Sequence, residues 1–587
     1  MWIVMRPARL ACTLSLTLLL ALALAVPACP QSPVDPAQLP GHTSFYLFWH
    51  GAPSGEIRKN NSLYALWDDP DFAAARTAWL DSFLNEAQSA KASDKPKLSR
   101  EELAQYAALL DNAFVVGAIR EPEALAAKRA AAGANAKDIP AWNGTFFIYD
   151  RTGKEELLSK AALRMQSEGT DIPKLSNLTV AGVPALKIER KSGVTYWAEF
   201  GKNAVAASDE SVFGQIVQVV NAKSSGPTLG RVPSYVEAKP LLAGGVLEFF
   251  AAVPNLKEFA LDQNGSAPPS SKMFLDAIKL DAVHCIAGHV VLDGAKTHVE
   301  GALLGDAAAG SLFDIWAGGT ANPASLAYVS ADTIYYSESQ FNLPGIYQTL
   351  RRAFLQGPNN SAQLVSVVES AAQTRLGMQL ADALAIPTGE MAWLQTSPTF
   401  DDSQKAYLLG IADKASALKL TRTLLGDRIS SEKSEGNVTY MKVSLGGGQS
   451  STGIAQWNFY HVAVTPSLII GAAKTDTLRR YVNQTATPDA ALAKNIAAVR
   501  AKYPEKLNGF SYFDFQKVDW PGLQAKWIAE AQKAAEKAKS NDAAKTDKKF
   551  ADWLTGVKPE VFPRHLHTMA GASWKDAKGV HFDEWLE

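Results

Sequence analysis

The chain has 587 residues, 47% hydrophobic, 20% charged and 9% aromatic, which holds ample apolar material for packed cores and excludes a mainly disordered, collagen-like or low-complexity polymer. With 58 Lys and Arg against 59 Asp and Glu the formal net charge is -1, so no overall field draws the chain to nucleic acid, and no nucleic-acid partner is expected.

The amino end carries Arg6 and Arg9, an apolar run over residues 14–26, and the small-residue sequence Val26-Pro27-Ala28-Cys29. That order reads as a secretory signal over residues 1–28. The run is too short for a membrane span and no later apolar stretch of about 18 residues follows, so the mature protein is expected to be soluble or lipid-anchored. Cys29 stands where a bacterial lipoprotein places its acylated residue, although Pro27 departs from that pattern; cleavage after Ala28 without acylation is the other reading. Either way residues 29–40, with Pro30, Pro33, Pro36 and Pro40, read as a Pro-rich tether, and the protein is placed in the periplasm or outer envelope. Cys12 leaves with the signal, and Cys29 and Cys285 are too few for a disulfide framework, so stability has to come from core burial. Cys285, in the apolar run 282–286, reads as a small buried hydrophobe rather than a nucleophile.

Residues 44–49 read as a strand whose aromatics Phe45, Tyr46, Phe48 and Trp49, with Tyr64 and Trp67, fit a core; stacking on the sugars of an envelope polymer is the alternative. Asp69 before Pro70, and Ser99 with Glu102, mark helix starts. The first of these helices, over 70–90, sets Phe72, Ala75, Trp79 and Phe83 at helical spacing. Strands over 114–119 and 145–150 follow, then a helix over 154–165, three strands over 184–188, 195–200 and 204–208, and a closing helix over 211–220.

The second half repeats this layout. Strands over 326–330, 390–395 and 406–411 precede a helix over 416–425, three strands over 439–445, 456–463 and 467–472, and a helix over 475–482. The clearest correspondence lies at the ends: His284, Ala287, Gly288, Asp293 and His298 match His567, Ala570, Gly571, Asp576 and His581 at a constant spacing of 283. Upstream, Gly245 to Phe250 matches Gly509 to Asp514 at 264, and an Ala/Lys-rich helical insertion near 529–549 accounts for the difference. The expected architecture is α+β: two duplicated halves of mostly antiparallel strands with grouped helices, over 41–316 and 325–587, joined at 317–324 where Gly318, Gly319 and Pro323 interrupt the pattern. A cleft between such halves is a place to look for a ligand.

Chemistry is sparsely marked. His284, His289, His298 and Glu300 surround Asp293-Gly294; with those two residues as a hairpin turn, His289 faces His298, and two opposed imidazoles can hold a divalent metal if further ligands complete the shell. The competing reading is a half-wet strand face, because Ala572 stands where the first half has His289; no other cofactor is expected. The Gly-rich stretch 446–453 lacks the ending and strand-to-helix context of a phosphate loop and reads as a hairpin connection. No Gly-x-Ser-x-Gly elbow or His-Glu-x-x-His helix occurs.

In layout the chain resembles large exported bacterial proteins built on a domain of unknown function, in which a strand-helix-three-strand-helix unit recurs after a signal sequence. That resemblance implies location and fold style, with no activity and no site residue. The functional expectation is an exported, non-catalytic cell-envelope protein that binds an envelope protein or envelope-polymer ligand, meeting the membrane only through an anchor at Cys29. A hydrolase with residues converging in the cleft, and a metal-binding protein using His289 and His298, are the alternatives.

Overall fold

The computed structural model describes residues 33–78, 100–132, 142–167, 173–191, 193–224, 226–255, 257, 272, 275–307, 310–316, 319–355, 361–444, 460–484, 490–537 and 551–587. The signal segment, Cys29, Trp79, Phe83, Ser99, the Gly-rich stretch 446–453 and the insertion beyond residue 537 lie outside them. The chain is α+β and forms two compact units. They divide at Gly305 and Asp306, upstream of the 317–324 punctuation, and residues 275–282 join the second unit.

In the first unit the strands are β1 (Thr43–Trp49), β2 (Phe114–Ile119), β3 (Gly144–Asp150), β4 (Lys174–Val180), β5 (Val183–Arg190), β6 (Gly193–Phe200), β7 (Asn203–Ala207), β8 (Leu247–Ala252), β9 (Val283–Asp293) and β10 (Lys296–Gly305). They pair antiparallel in the order β4-β5-β6-β7-β3-β2-β1-β8-β9-β10. Helix α1 (Glu155–Ser167) joins β3 to β4, α2 (Glu210–Val220) follows β7, and α3 (Pro233–Ala238) precedes β8. Asp209 caps α2 by accepting from the amides of Ser211 and Val212. Past that cap, Val212, Phe213, Ile216 and Val217 recur on one stripe and pack into a core with Phe48, Val115, Ile148 and Val205 from the sheet. Each such side chain contributes about 1.5–3 kcal/mol through burial.

The second unit contains β11 (Tyr335–Gln340), β12 (Pro387–Gln395), β13 (Lys405–Ile411), β14 (Ile429–Glu435), β15 (Val438–Val443), β16 (His461–Val464), β17 (Leu468–Ala472), β18 (Gly509–Asp514), β19 (Thr568–Lys575) and β20 (Gly579–Leu586). Their order is β14-β15-β16-β17-β13-β12-β11-β18-β19-β20, again antiparallel throughout. Helices α4 (Leu343–Leu355) and α5 (Ser361–Leu376) lie between β11 and β12, α6 (Lys414–Leu425) follows β13, α7 (Thr475–Gln484) and α8 (Ala490–Arg500) follow β17, and α9 (Trp520–Lys537) follows β18. Tyr336, Leu394, Leu408 and Ile470 of the sheet form this unit's core with Leu478 and Tyr481 of α7 and Ile496 of α8.

Three sequence expectations change. Residues 326–330 were expected as a strand; Ala324–Tyr328 instead forms a short 3-10 helix, and the strand is β11. Four strands rather than three follow α1 and α6, because β4 and β14 are edge strands whose side chains are largely solvent-facing and so lack alternating hydrophobicity. Finally, β9 and β10 turn on Gly294-Ala295, with Asp293 paired to Lys296 and the positive φ of +56° at Gly294. Moving the turn by one residue moves every facing pair.

Candidate functional site

The shifted turn places His289 opposite Glu300, and His298 opposite Val291, so the two imidazoles do not face each other as expected. The same pairing extends inward, where His289 lies opposite Glu248 of β8 and Glu248 opposite Phe48 of β1. One face of four adjacent strands therefore carries the row Phe48, Glu248, His289, Glu300.

Each member is held by a different element. His50, just past β1, stacks on Phe48 with ring centroids 3.8 Å apart and brings Nε2 to 2.9 Å from Glu248 Oε1. Glu248 is buried, whereas the His50 side chain is 27% exposed, so the pair reaches solvent through the imidazole. Beside it, buried His289 approaches the carbonyl oxygen of Leu241, in the 3-10 turn that follows α3, at 2.7 Å from Nδ1. A carbonyl only accepts, so Nδ1 donates and a neutral ring carries its lone pair at Nε2. That Nε2 lies 3.9 Å from Glu300 Oε2, beyond hydrogen-bond reach. His284 is drawn elsewhere: its Nδ1 lies 2.9 Å from Glu237 Oε2 of α3. Near it, buried Cys285 donates its thiol to Ser234 O, and burial, helped by the Glu237 charge, pushes the thiol up to about 12, so it stays protonated at neutral pH.

This geometry offers one imidazole lone pair and a carboxylate near it, fewer ligands than a tight divalent site uses. Among the described residues no group of three or more His, Cys, Asp and Glu side chains is arranged to hold a metal ion. Glu237, Glu248 and His50 were not singled out by sequence. For Glu248 a signal existed, a carboxylate inside the apolar strand Leu247-Glu248-Phe249-Phe250.

A more enclosed constellation occupies the second unit. Arg500, ending α8, donates from Nε and Nη2 to Glu338 Oε1 at 3.1 and 2.6 Å, and its guanidinium also reaches the carbonyls of Thr320 and Ala321. Tyr336 donates to the other Glu338 oxygen, and Glu390 accepts from the amides of Ala324 and Ser325. The Glu338 and Arg500 side chains are 1% and 8% exposed, so this network ties the 320–325 segment to the sheet and is closed to solvent. Burial pushes the Glu338 carboxyl up, against the opposing pull of Arg500 and Tyr336.

The first unit also has an open depression of about 470 Å³ between α1 and strands β4 to β6, lined by Leu163, Leu178, Pro184, Leu186, Trp197 and Glu199 among others. Its walls are mainly apolar, with Ser159, Asn177 and Glu199 as the polar lining residues; Glu199 accepts from Arg151 Nη1 at 2.8 Å and Trp197 Nε1 at 3.2 Å. Tyr46, Phe48, Trp49, Tyr64 and Trp67 are buried, so they belong to the core rather than to a sugar-stacking surface. Among the described residues no helix is long and apolar enough to cross a membrane. No family model, curated protein or solved structure matches this chain.

Proposed function

We propose that the chain is an exported, non-catalytic cell-envelope protein that binds a partner or ligand, and that its two units are copies of one ten-strand element. The shared strand order supports the duplication. With Gly288 and Gly571 matched, their partners Phe249 and Ser511 stand 262 residues apart, against the 264 read from Gly245 and Gly509.

The observation that carries the binding reading is the depression beside α1. Its surface is mainly apolar with a few polar groups, Ser159, Asn177 and Glu199, and its one carboxylate is engaged by Arg151 and Trp197, an arrangement that orients a bound group rather than moves a proton. The occupant is an envelope protein or envelope polymer, and the reading of residues 1–28 as a signal, with or without acylation at Cys29, supports a location in the periplasm or outer envelope.

The test is purification of the processed chain from its native envelope in mild detergent, with mass spectrometry of the amino-terminal peptide and of whatever accompanies it. A stoichiometric companion that is lost in Leu163→Asp, at a position 61% exposed and so neutral for folding, is the expected result. Companion binding that ignores Leu163→Asp removes the depression from the reading, and a chain that keeps residues 1–28 in the cytoplasmic fraction overturns export. The hydrolase reading rests on the His50–Glu248 pair at the solvent rim. It requires turnover of an envelope substrate that Glu248→Gln abolishes without unfolding the chain.

A further inference from the structure

Half of the twelve large hydrophobic side chains most exposed among the described residues belong to two consecutive helices of the second unit. Leu350, Phe354 and Leu355 lie in the last turns of α4, and Leu364, Val367 and Val368 in the first turns of α5. Leu350 and Phe354 are one helical turn apart, and Leu364, Val367 and Val368 follow the i, i+3, i+4 spacing of a single stripe. These are the ends of the two helices nearest each other in the chain.

The helices are tied together and to their unit on other faces. Tyr347 Oη and Arg351 Nε both donate to Glu369 Oε1, which joins α4 to α5. Thr349, Ala353 and Val365 are buried, and Arg352 Nη2 donates to Gly310 O at 2.7 Å. The apolar positions are therefore held outward by a fixed framework. Residues 362–364 and 366–368 are all exposed, and six positions so spaced span most of a helix circumference, so the start of α5 stands clear of the unit as a convex end.

We infer that this end of the α4–α5 pair is a docking surface for an anionic lipid bilayer. A patch of six large apolar side chains in water marks an interaction surface. A convex apolar end needs a preshaped groove in a protein partner, whereas acyl chains close around it without one. Charge points the same way: α4 and α5 contain Arg351, Arg352 and Arg375 against a single acid, Glu369, which is already engaged by Arg351, and no acid occurs from 343 to 368. The absence of carboxylates removes the repulsion that anionic headgroups impose on an acidic surface. This surface is separate from the depression in the first unit and needs only that the chain meets a membrane, which the proposed export supplies.

The test uses the full chain carrying Cys29→Ser, so that no acyl anchor contributes, sedimented with phosphatidylethanolamine vesicles containing phosphatidylglycerol and, as the uncharged control, with phosphatidylcholine vesicles. Binding is expected to the anionic vesicles and to fall at least about tenfold in Leu364→Ser/Val367→Ser/Val368→Ser, with an unchanged circular dichroism spectrum and melting temperature. Val367→Trp should tighten binding, a gain that misfolding does not imitate. Failure of the unsubstituted chain to bind anionic vesicles, or equal binding by the triple variant, overturns the proposal. A dimer that the triple variant converts to monomer, without vesicle binding, overturns it in favour of a second copy. Cell fractionation reports on export independently, so either idea fails without the other.

Discussion

Both units set one carboxylate opposite one phenylalanine across the strand pair that joins the front of the unit to its end, but in opposite order. In the first, β1 supplies Phe48 and β8 supplies Glu248; in the second, β11 supplies Glu338 and β18 supplies Phe510. With Gly288 and Gly571 matched these are the same two places on the sheet, and the next places outward hold His289 and Glu300 in one unit and Ala572 and Asp583 in the other. A buried carboxylate needs a cationic or hydrogen-bonding partner wherever it sits. The second unit meets that need with Arg500, whose guanidinium stays charged and fills the enclosure. The first uses His50, whose imidazole lies at the solvent rim. The lesson is that one facing pair of strands can hold its carboxylate in a sealed clamp or at the solvent rim, depending on where the partner enters.

The largest effect should come from opening the sealed clamp. Arg500→Met leaves Glu338 buried beside one hydroxyl and should lower the stability of the second unit by about 3–5 kcal/mol in denaturant unfolding, whereas Arg500→Met with Glu338→Leu should recover most of it. The pH sign follows from the raised Glu338 pKa. Its folded value lies above the unfolded one, so its contribution is fully present below the unfolded pKa and is lost as pH rises through the folded pKa. Without Arg500 that value rises further, and the single variant should be more stable in mild acid than at neutral pH; an acid-labile variant would contradict the clamp.

His50→Ala should cost less, about 1–3 kcal/mol, because water enters at the rim and solvates Glu248. A loss matching that of Arg500→Met would erase the distinction between the two sites. Smaller again is His289→Phe, which removes the donor to Leu241 O and should cost about 1 kcal/mol while raising hydrogen exchange in the 239–241 turn. The smallest effect lies at the edge of the second sheet, where Arg479 and Lys433 hold Glu435 at about 2. Its contribution is present above the ordinary value of 4.5 and is lost as pH falls toward 2, so Glu435→Gln should flatten that part of the acid-unfolding profile. Because the pair is exposed, added salt should weaken the difference.

Much of the local structure is legible in the residues. A short apolar run marks 114–119, which is β2 to the residue, and the closing helix expected over 211–220 is α2, differing by one residue at its start. These signals are local, since burial on one face imposes a period of two on a strand and 3.6 on a helix. Strands β4 and β14 escape the same logic because an edge strand whose side chains are largely solvent-facing is only weakly held to such a period. The α+β class, the closing helices and the placement of His284, His289 and His298 on a terminal hairpin follow from composition and periodicity alone.

Only the tertiary structure decides what those histidines meet. A one-residue difference in turn placement, Gly294-Ala295 for Asp293-Gly294, replaces His298 by Glu300 opposite His289, because in an antiparallel pair the turn sets every partner down the ladder. Glu248 reaches His50 across 198 residues of chain, and Arg500 reaches Glu338 across 162. Nothing in either segment encodes that distant partner, since the contact exists only once β8 lies beside β1 and α8 packs over β11. Sequence therefore determines the elements and their inward faces, which depend on near neighbours, while the pairing of buried charges is set by which strands the fold makes adjacent.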